Sequence, residues 1–185
     1  MGGPARRGAD MVAFAEESLT LLRRALAGGP VRLRTPRHSV GGHHAGPVPP
    51  KPMELWLGAR KTRMLQVTGR AADGWISPLN LYVTPPEVPS RQRIIDDAAL
   101  AAGRDPRSVR RVYNVIGAIG DHRGGPGLVG GTDRWVDALT GWAVDLGFDT
   151  FVFWPVAEPD RQLCLFTDEI VPAVRERVAA TRSGR

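Results

Sequence analysis

The feature that most constrains the fold is an alternation of short apolar runs and amphipathic segments after residue 52. The four runs are followed in each case by apolar residues at helical spacing. Strands of a parallel sheet read as continuous apolar runs, and helices usually connect them. The alternation predicts an α/β fold with a parallel sheet, either a small open sheet or half of an eight-stranded barrel. The apolar runs are MELWL (53–57), GWI (74–76), VYNVIGAI (112–119) and TFVFW (150–154).

The segment before residue 53 has a different pattern. Residues 11–27 carry one apolar stripe, which predicts a helix with Asp10 as its N-cap. Residues 35–52 contain five prolines and three glycines, which predicts a loop without regular structure. We therefore expect residues 1–52 to form a helix and a Pro/Gly-rich linker, and residues 53–185 to form four strand–helix units.

Composition excludes several classes of protein. The net charge is +6, but of 25 basic residues only Lys51 and Lys61 are lysines, and the arginines are scattered. Without a basic stripe interleaved with aromatic residues, a nucleic-acid partner is not expected. No apolar run approaches the ~18 residues of a membrane span, and one cysteine cannot form an internal disulfide. We expect a cytoplasmic protein that does not bind membranes, with Cys164 as a small core residue on a helical apolar stripe.

A glycine-rich loop between the third strand and the next helix is one candidate binding site. Residues 125–132 read GPGLVGGT, which has the glycine spacing of a phosphate-binding loop. Gly131 stands where such a loop has its lysine, which disfavours a nucleoside triphosphatase. Gly130, Gly131 and Thr132 could still bind a cofactor phosphate at the start of a helix. A flexible connector is the alternative.

The end of the first predicted strand is the second candidate. Gly58 and Ala59 are small enough for a flat ligand to approach the backbone, and Arg60 supplies positive charge. In α/β proteins, sites form at the carboxyl ends of the strands. A solvated, arginine-rich turn is the alternative.

Other polar residues favour structural interpretations. We expect Asp73 to cap or pair locally beside a core Trp75. The three histidines of the linker, His38, His43 and His44, are expected to be solvated rather than to bind a metal, because no carboxylate or cysteine lies within that loop. The residues by themselves identify no catalytic group and no metal site.

Several short motifs, in order, resemble the luciferase-like flavin or deazaflavin oxidoreductases. Residues 17–29 and the loop beyond them resemble the insertion that precedes the second half of that family's barrel. The chain has Lys61-Thr62 where the family commonly has Gly-Pro. The motifs are LWLGA (55–59), RML (63–65), TGR (68–70), ADGW (72–75), FDTFVFWP (148–155), RQL (161–163) and EIVPAV (169–174).

This resemblance implies the carboxyl-terminal half of a TIM barrel that binds FMN or a deazaflavin coenzyme. Hydride transfer or monooxygenation of a small-molecule substrate would follow, with Gly58, Ala59 and Arg60 beside the ring or its tail. Residues 130–132 would lie near a phosphate. Because the first four strands are not in the sequence, we expect a truncated form with an incomplete site, and whether it is an enzyme stays open. The alternative is a non-catalytic half-barrel that pairs with a copy of itself or with a separate amino-terminal half.

Overall fold

The computed structural model describes residues 5–122 and 124–184, and these form an α/β fold. A 3₁₀ turn at Pro85–Glu87 leads into α3, and a π-helical segment at Phe166–Ile170 joins α5 to α6. The helices are α1 (Gly8–Leu26), α2 (Thr62–Ala71), α3 (Val88–Ala101), α4 (Thr132–Val144), α5 (Pro159–Leu165) and α6 (Val171–Ser183). The strands are β1 (Val31–Arg34), β2 (Ser39–His43), β3 (Trp56–Gly58), β4 (Gly74–Ser77), β5 (Arg110–Ile119), β6 (Leu128–Gly130) and β7 (Thr150–Pro155).

The main sheet has the strand order β3-β4-β5-β6, and β7 also pairs with β5. Both β6 and β7 run parallel to β5, which confirms the predicted parallel sheet. The described residues give this sheet five strands rather than four, because the short strand β6 forms inside the glycine-rich loop. Strands β1 and β2 form a separate antiparallel pair.

The chain divides into two compact units. Among the described residues, the first unit comprises 5–57, 61–74 and 94–109, and the second comprises 58–60, 75–93, 110–122 and 124–184. In the first unit, the packed apolar side chains are those of Leu19, Val67 and Ala72 with Val12, Leu55, Leu57, Met64 and Ala71. In the second unit, the core is aromatic: Tyr113 stacks on Phe148 at 4.4 Å between ring centroids, and Trp75 and Trp135 are fully buried.

Two expectations for the first unit are wrong. Helix α1 begins at Gly8 after an extended Arg7, so Asp10 lies in the first turn and does not cap the helix. Its carboxylate instead pairs with Arg6 and Arg37. Strand β2 forms inside the segment predicted to be an irregular loop. The prolines lie outside Ser39–His43, so backbone pairing with β1 outweighs the weak strand propensity of two glycines.

The expectation that Cys164 is a core residue is also wrong, since its side chain is exposed. Pro172 has no N–H to donate to the carbonyl four residues earlier, and Val171 N–H donates to Phe166 O, five residues earlier. Cys164 lies in α5, two residues before Phe166 and about 200° around the helix, so it is not on the helix face of Phe166. Gln162 is buried there instead.

Candidate functional site

One face of the main sheet is open within the second unit. Along β5, Tyr113 and Val115 are fully buried, and Tyr113 meets Trp142 of α4 edge to face at 5.2 Å between ring centroids. The alternate residues Asn114 and Ile116 are only partly buried. They pair in register with Val152 and Trp154 of β7, which are 37% and 52% exposed. We call these four residues, Asn114, Ile116, Val152 and Trp154, the open face.

A side-chain amide fixes the largest aromatic group of the open face. The indole Nε1 of Trp154 donates to Asn114 Oδ1 at 2.9 Å, and Asn114 Nδ2 donates to Ser77 O at 2.8 Å. The indole is therefore held in one orientation while half of its surface stays accessible. Neither Asn114 nor Trp154 was predicted as a site residue. The signal was a single amide inside the apolar run VYNVIGAI, since a polar group in a strand needs a partner.

Two further amides brace strand β5 near its carboxyl end. Ile116 N–H donates to Asn80 Oδ1 at 3.0 Å, so an asparagine side chain takes the place of a strand partner. Gln162 makes two such bonds with Ile119, donating to its carbonyl at 2.9 Å and accepting from its N–H at 2.7 Å. Because both amides are buried, these bonds hold the edge where ligands bind in α/β proteins.

The structure places Gly58, Ala59 and Arg60 at the end of β3, with different exposures. Gly58 is exposed, and a Cβ added there would have a backbone oxygen at 4.0 Å as its nearest heavy atom. Ala59 is buried, and its carbonyl accepts a hydrogen bond from Trp75 Nε1 at 2.9 Å. The Arg60 guanidinium is exposed, 6.0 Å from the centroid of the Tyr82 ring. The glycine thus leaves free space in front of the backbone, with a cation beside it.

The structure places Gly130, Gly131 and Thr132 at the end of β6 and the start of α4. Gly131 is the N-cap and provides no side-chain cap, so the helix start has no side-chain acceptor there. However, Thr132 Oγ1 donates to the Glu169 carboxylate at 3.1 Å. A negative charge therefore already lies next to the predicted phosphate position. The strand order separates this cluster from Gly58 by three strand spacings, about 14 Å.

Asp73 and His38 lie in the first unit and have structural partners. Burial raises the pKa of Asp73, but hydrogen bonds from Arg23 and from Leu55 N–H outweigh it, so the pKa lies below the ordinary value. His38 was predicted to be solvated, which is wrong: its Nδ1 lies 3.3 Å from Glu17 Oε2 and its ring stacks on Phe14. In the part of the chain that the structure describes, no group of three or more His, Cys, Asp or Glu residues could hold a metal ion.

Comparison with known proteins identifies a family. A family model described as luciferase-like monooxygenase matches residues 6–123. A curated relative is 43% identical over 56 residues, which is 30% of this chain and 14% of the relative: the phthiodiolone/phenolphthiodiolone dimycocerosates ketoreductase of Mycobacterium tuberculosis (strain ATCC 25618 / H37Rv). The match therefore spans a small part of that relative's length.

Solved structures share the fold at low sequence identity. An F420-dependent secondary alcohol dehydrogenase, in complex with an F420-acetone adduct, is 11% identical over 92% of this chain and 64% of its own, with a TM-score of 0.79. The F420-dependent tetrahydromethanopterin reductase from Methanopyrus kandleri is 14% identical over 90% of this chain and 64% of its own, with a TM-score of 0.73. A long-chain alkane monooxygenase is 11% identical over 95% of this chain and 58% of its own, with a TM-score of 0.75.

The chain thus spans about three fifths of the length of these solved structures. At such identities the likeness concerns the fold alone. Among the described residues, no helix is long and apolar enough to span a membrane.

Proposed function

The chain belongs to the luciferase-like monooxygenase family, and we propose that it forms part of an oxidoreductase site for FMN or the deazaflavin coenzyme F420. The observation that carries the proposal is the free space over Gly58 beside Arg60, at the end of a strand of a parallel sheet. We further propose that residues 53–185 supply four strand–helix units of an eight-stranded barrel, preceded by an insertion in residues 1–52. The accessible open face and the longer solved structures support this arrangement.

The proposed roles of the residues follow from their exposure. Gly58 allows a flat ring to approach the backbone, Ala59 holds Trp75 through its carbonyl, and Arg60 attracts an anionic group of the ligand. When bound, a flavin-type cofactor supplies the hydride or oxygen chemistry. These protein groups would orient the ring. Gly131 and Thr132 fit an anionic phosphate less well than the Gly58–Arg60 position does. The Glu169 carboxylate next to Thr132 would repel the phosphate.

Between the two reactions of the family, we favour hydride transfer over monooxygenation. The curated relative is a ketoreductase and one of the structural neighbours is a secondary alcohol dehydrogenase, so a ketone and secondary-alcohol pair is the proposed substrate class. Incubating the protein with reduced F420 or reduced FMN and a small ketone, without oxygen, should oxidise the cofactor. Turnover that requires oxygen would instead support monooxygenation.

Filling the space over Gly58 tests the ring position. Gly58→Val should leave the free energy of unfolding within about 0.5 kcal/mol of the unchanged protein, because no atom lies closer than 4.0 Å to the new Cβ. It should raise the dissociation constant of FMN or F420 at least tenfold, measured by quenching of cofactor fluorescence. Gly41→Val is the matched control for binding, because Gly41 is an exposed residue of β2 in the first unit with equally free space around a new Cβ. If the unchanged chain binds neither cofactor below millimolar concentration, the cofactor proposal is lost.

Removing the Glu169 charge tests the phosphate position separately. Glu169→Gln should tighten binding of FMN several-fold, because it removes like-charge repulsion next to Thr132. Riboflavin, which has the same ring and no phosphate, should bind both proteins equally. An equal change for FMN and riboflavin would place the phosphate elsewhere.

The second candidate function is non-catalytic assembly with another chain. The accessible apolar side chains of Val152 and Trp154 favour it. Covering them would require a copy of the chain or a separate chain with the remaining strands. Size-exclusion chromatography with light scattering distinguishes these cases. A stable dimer without cofactor affinity supports assembly, whereas a cofactor-free monomer contradicts both functions.

A further inference from the structure

A groove of about 560 Å³ lies in the second unit between α4, the start of β7 and α6. This volume is within the range of small-molecule pockets. Aliphatic and aromatic side chains form most of the lining, and none of them belongs to the site described above. The apolar lining includes Leu139 of α4, Phe151 of β7, and Val174, Val178 and Ala179 of α6.

Two arginines of α6 also line this groove. Arg175 and Arg182 are seven residues apart, which is two helical turns, so both lie on the same face of the helix. Among the described residues, neither makes an ion pair or a hydrogen bond. Arg177 on the same helix, by contrast, pairs with Asp137. The groove therefore combines an apolar lining with two positive charges that no described residue neutralises.

The only carboxylate in the described lining, that of Asp149, has partners outside α6. Asp149 Oδ2 accepts a hydrogen bond from Arg111 N–H at 2.9 Å, and Asp149 Oδ1 lies 3.9 Å from Arg110 Nη1 and accepts from the Thr150 hydroxyl. Asp149 thus contacts these groups, and among the described residues it makes no ion pair with the arginines of α6. Their charge is left for a ligand.

We propose that this groove binds a free long-chain carboxylate. The alkyl chain would lie along the apolar lining, and the carboxylate would bind Arg175 and Arg182, whose guanidinium groups match carboxylate geometry. A neutral hydrocarbon would leave both cations unpaired, and a small anion such as phosphate would leave the apolar surface in water. The charge and the apolar surface together therefore select an amphiphilic anion.

Isothermal titration of the whole chain with octanoate, decanoate and dodecanoate tests the apolar part. Each added methylene should strengthen binding roughly fourfold, as burial of a CH₂ group predicts. Dodecanoate should bind at least tenfold more tightly than dodecanol, which has the same chain and no charge. Equal affinities for octanoate and dodecanoate, or for dodecanoate and dodecanol, would overturn the proposal.

Charge variants test the arginines. Arg175→Gln and Arg182→Gln should each weaken dodecanoate binding about tenfold and leave dodecanol binding unchanged. Arg177→Gln is the matched control on the same helix, because it removes one charge outside the groove and should leave both affinities unchanged. A loss in Arg177→Gln equal to that in the groove variants would show only a general charge effect and would contradict the site.

A bulky substitution tests the position of the alkyl chain. Ala179 is exposed at the groove, so Ala179→Trp should fill it without disturbing the core, as circular dichroism would verify, and should abolish dodecanoate binding. If instead Ala179→Trp dissociates a dimer seen by light scattering, and dodecanoate does not bind, the groove is an interface between copies. Binding to anionic lipid vesicles without binding of free dodecanoate would likewise overturn the proposal.

Discussion

At the scale of single residues, several arginines donate hydrogen bonds to backbone carbonyls. The guanidinium of Arg104 donates to Gly69 O at 2.7 Å and to Ala72 O at 2.8 Å, at the end of α2. The last carbonyls of a helix have no partner within it, and they carry partial negative charge. Arg104 therefore supplies the end of α2 with donors that the local sequence does not provide.

We predict that Arg104→Ala lowers the free energy of unfolding by about 1–3 kcal/mol, because two carbonyls lose a charged donor. The free energy of unfolding of Arg104→Lys should lie between those of Arg104→Ala and the unchanged protein. An ammonium group cannot bind both carbonyl oxygens as the planar guanidinium does. Urea unfolding followed by circular dichroism measures this. The control is Arg107→Ala, whose side chain is 91% exposed and should change stability little.

A second residue-scale prediction concerns acid stability in the first unit. The Thr35 hydroxyl, Arg37 and His38 all contact the Glu17 carboxylate and lower its pKa from 4.5 to about 2. A lowered pKa means that the folded state binds the proton less tightly than the unfolded state. The stabilisation is therefore complete above about pH 4.5 and is lost as the pH falls towards 2.

Glu17→Gln should accordingly reduce the loss of stability between pH 5 and pH 2.5, measured by urea unfolding at each pH. Glu176→Gln is the matched control, because Glu176 is exposed and makes no ion pair among the described residues. A pH dependence of Glu17→Gln identical to that of the unchanged protein would contradict the role of this carboxylate.

At the scale of elements, two glycines in helices differ in whether a larger side chain would fit at their position. A Cβ on Gly69 of α2 would lie 2.2 Å from Ile95 O and 2.9 Å from Ala98 Cβ in the first unit. Glycine is required there because α2 passes in direct contact with a backbone carbonyl of α3. In α4, a Cβ on Gly141 would meet only the flexible Asp145 carboxylate, at 3.8 Å.

Gly69→Ala should therefore destabilise the protein by roughly 1–3 kcal/mol, the usual cost of forcing extra volume into a packed contact. Gly141→Ala should stabilise it by about 0.5–1 kcal/mol, because alanine loses less backbone entropy in a helix. Thermal unfolding of the two variants measures both changes in stability, which should have opposite signs. Equal effects at the two positions would show that helix propensity, rather than the contact at Gly69, decides the outcome.

At the scale of the whole molecule, the open face is an accessible apolar surface of the sheet. Val152 and Trp154 are adjacent on this face, whereas Leu100, at 62% exposed, stands on the outer surface of a helix. Single exposed apolar residues are common on protein surfaces, but contiguous apolar patches mark binding or association. We therefore expect the open face to contribute most to the binding of apolar dyes and to self-association of the chain.

The double substitution Val152→Thr with Trp154→Ser should lower fluorescence of the apolar dye ANS by at least half. Leu100→Ser should leave it nearly unchanged, although it removes an exposed leucine. Sedimentation velocity at several concentrations should show less self-association in the double variant than in the unchanged protein, and little change in Leu100→Ser. Equal dye binding by all three proteins would mean that the open face is covered in solution.

Local patterns in the sequence determined the α/β class, the parallel sheet, most helices, and the positions of Gly58 at the end of a strand and Thr132 at the start of a helix. These features depend on periodicity and turn residues within a few positions, which the chain carries in itself. The π-helical segment at Phe166–Ile170, the exposure of Cys164 and strand β2 were not predictable in this way. Each depends on a hydrogen bond or on which helix face packs against the core, and local propensity determines neither.

The tertiary structure alone decided which residues meet across long separations. The link from Trp154 through Asn114 to Ser77 joins three strands, and the Glu169 carboxylate reaches Thr132 from 37 residues away. The spacing of residues in the sequence does not predict such contacts, because they form only when separate elements pack together. The sequence thus determined the kind of fold and the position of Gly58 at the end of a strand, and packing decided which side chains lie around it.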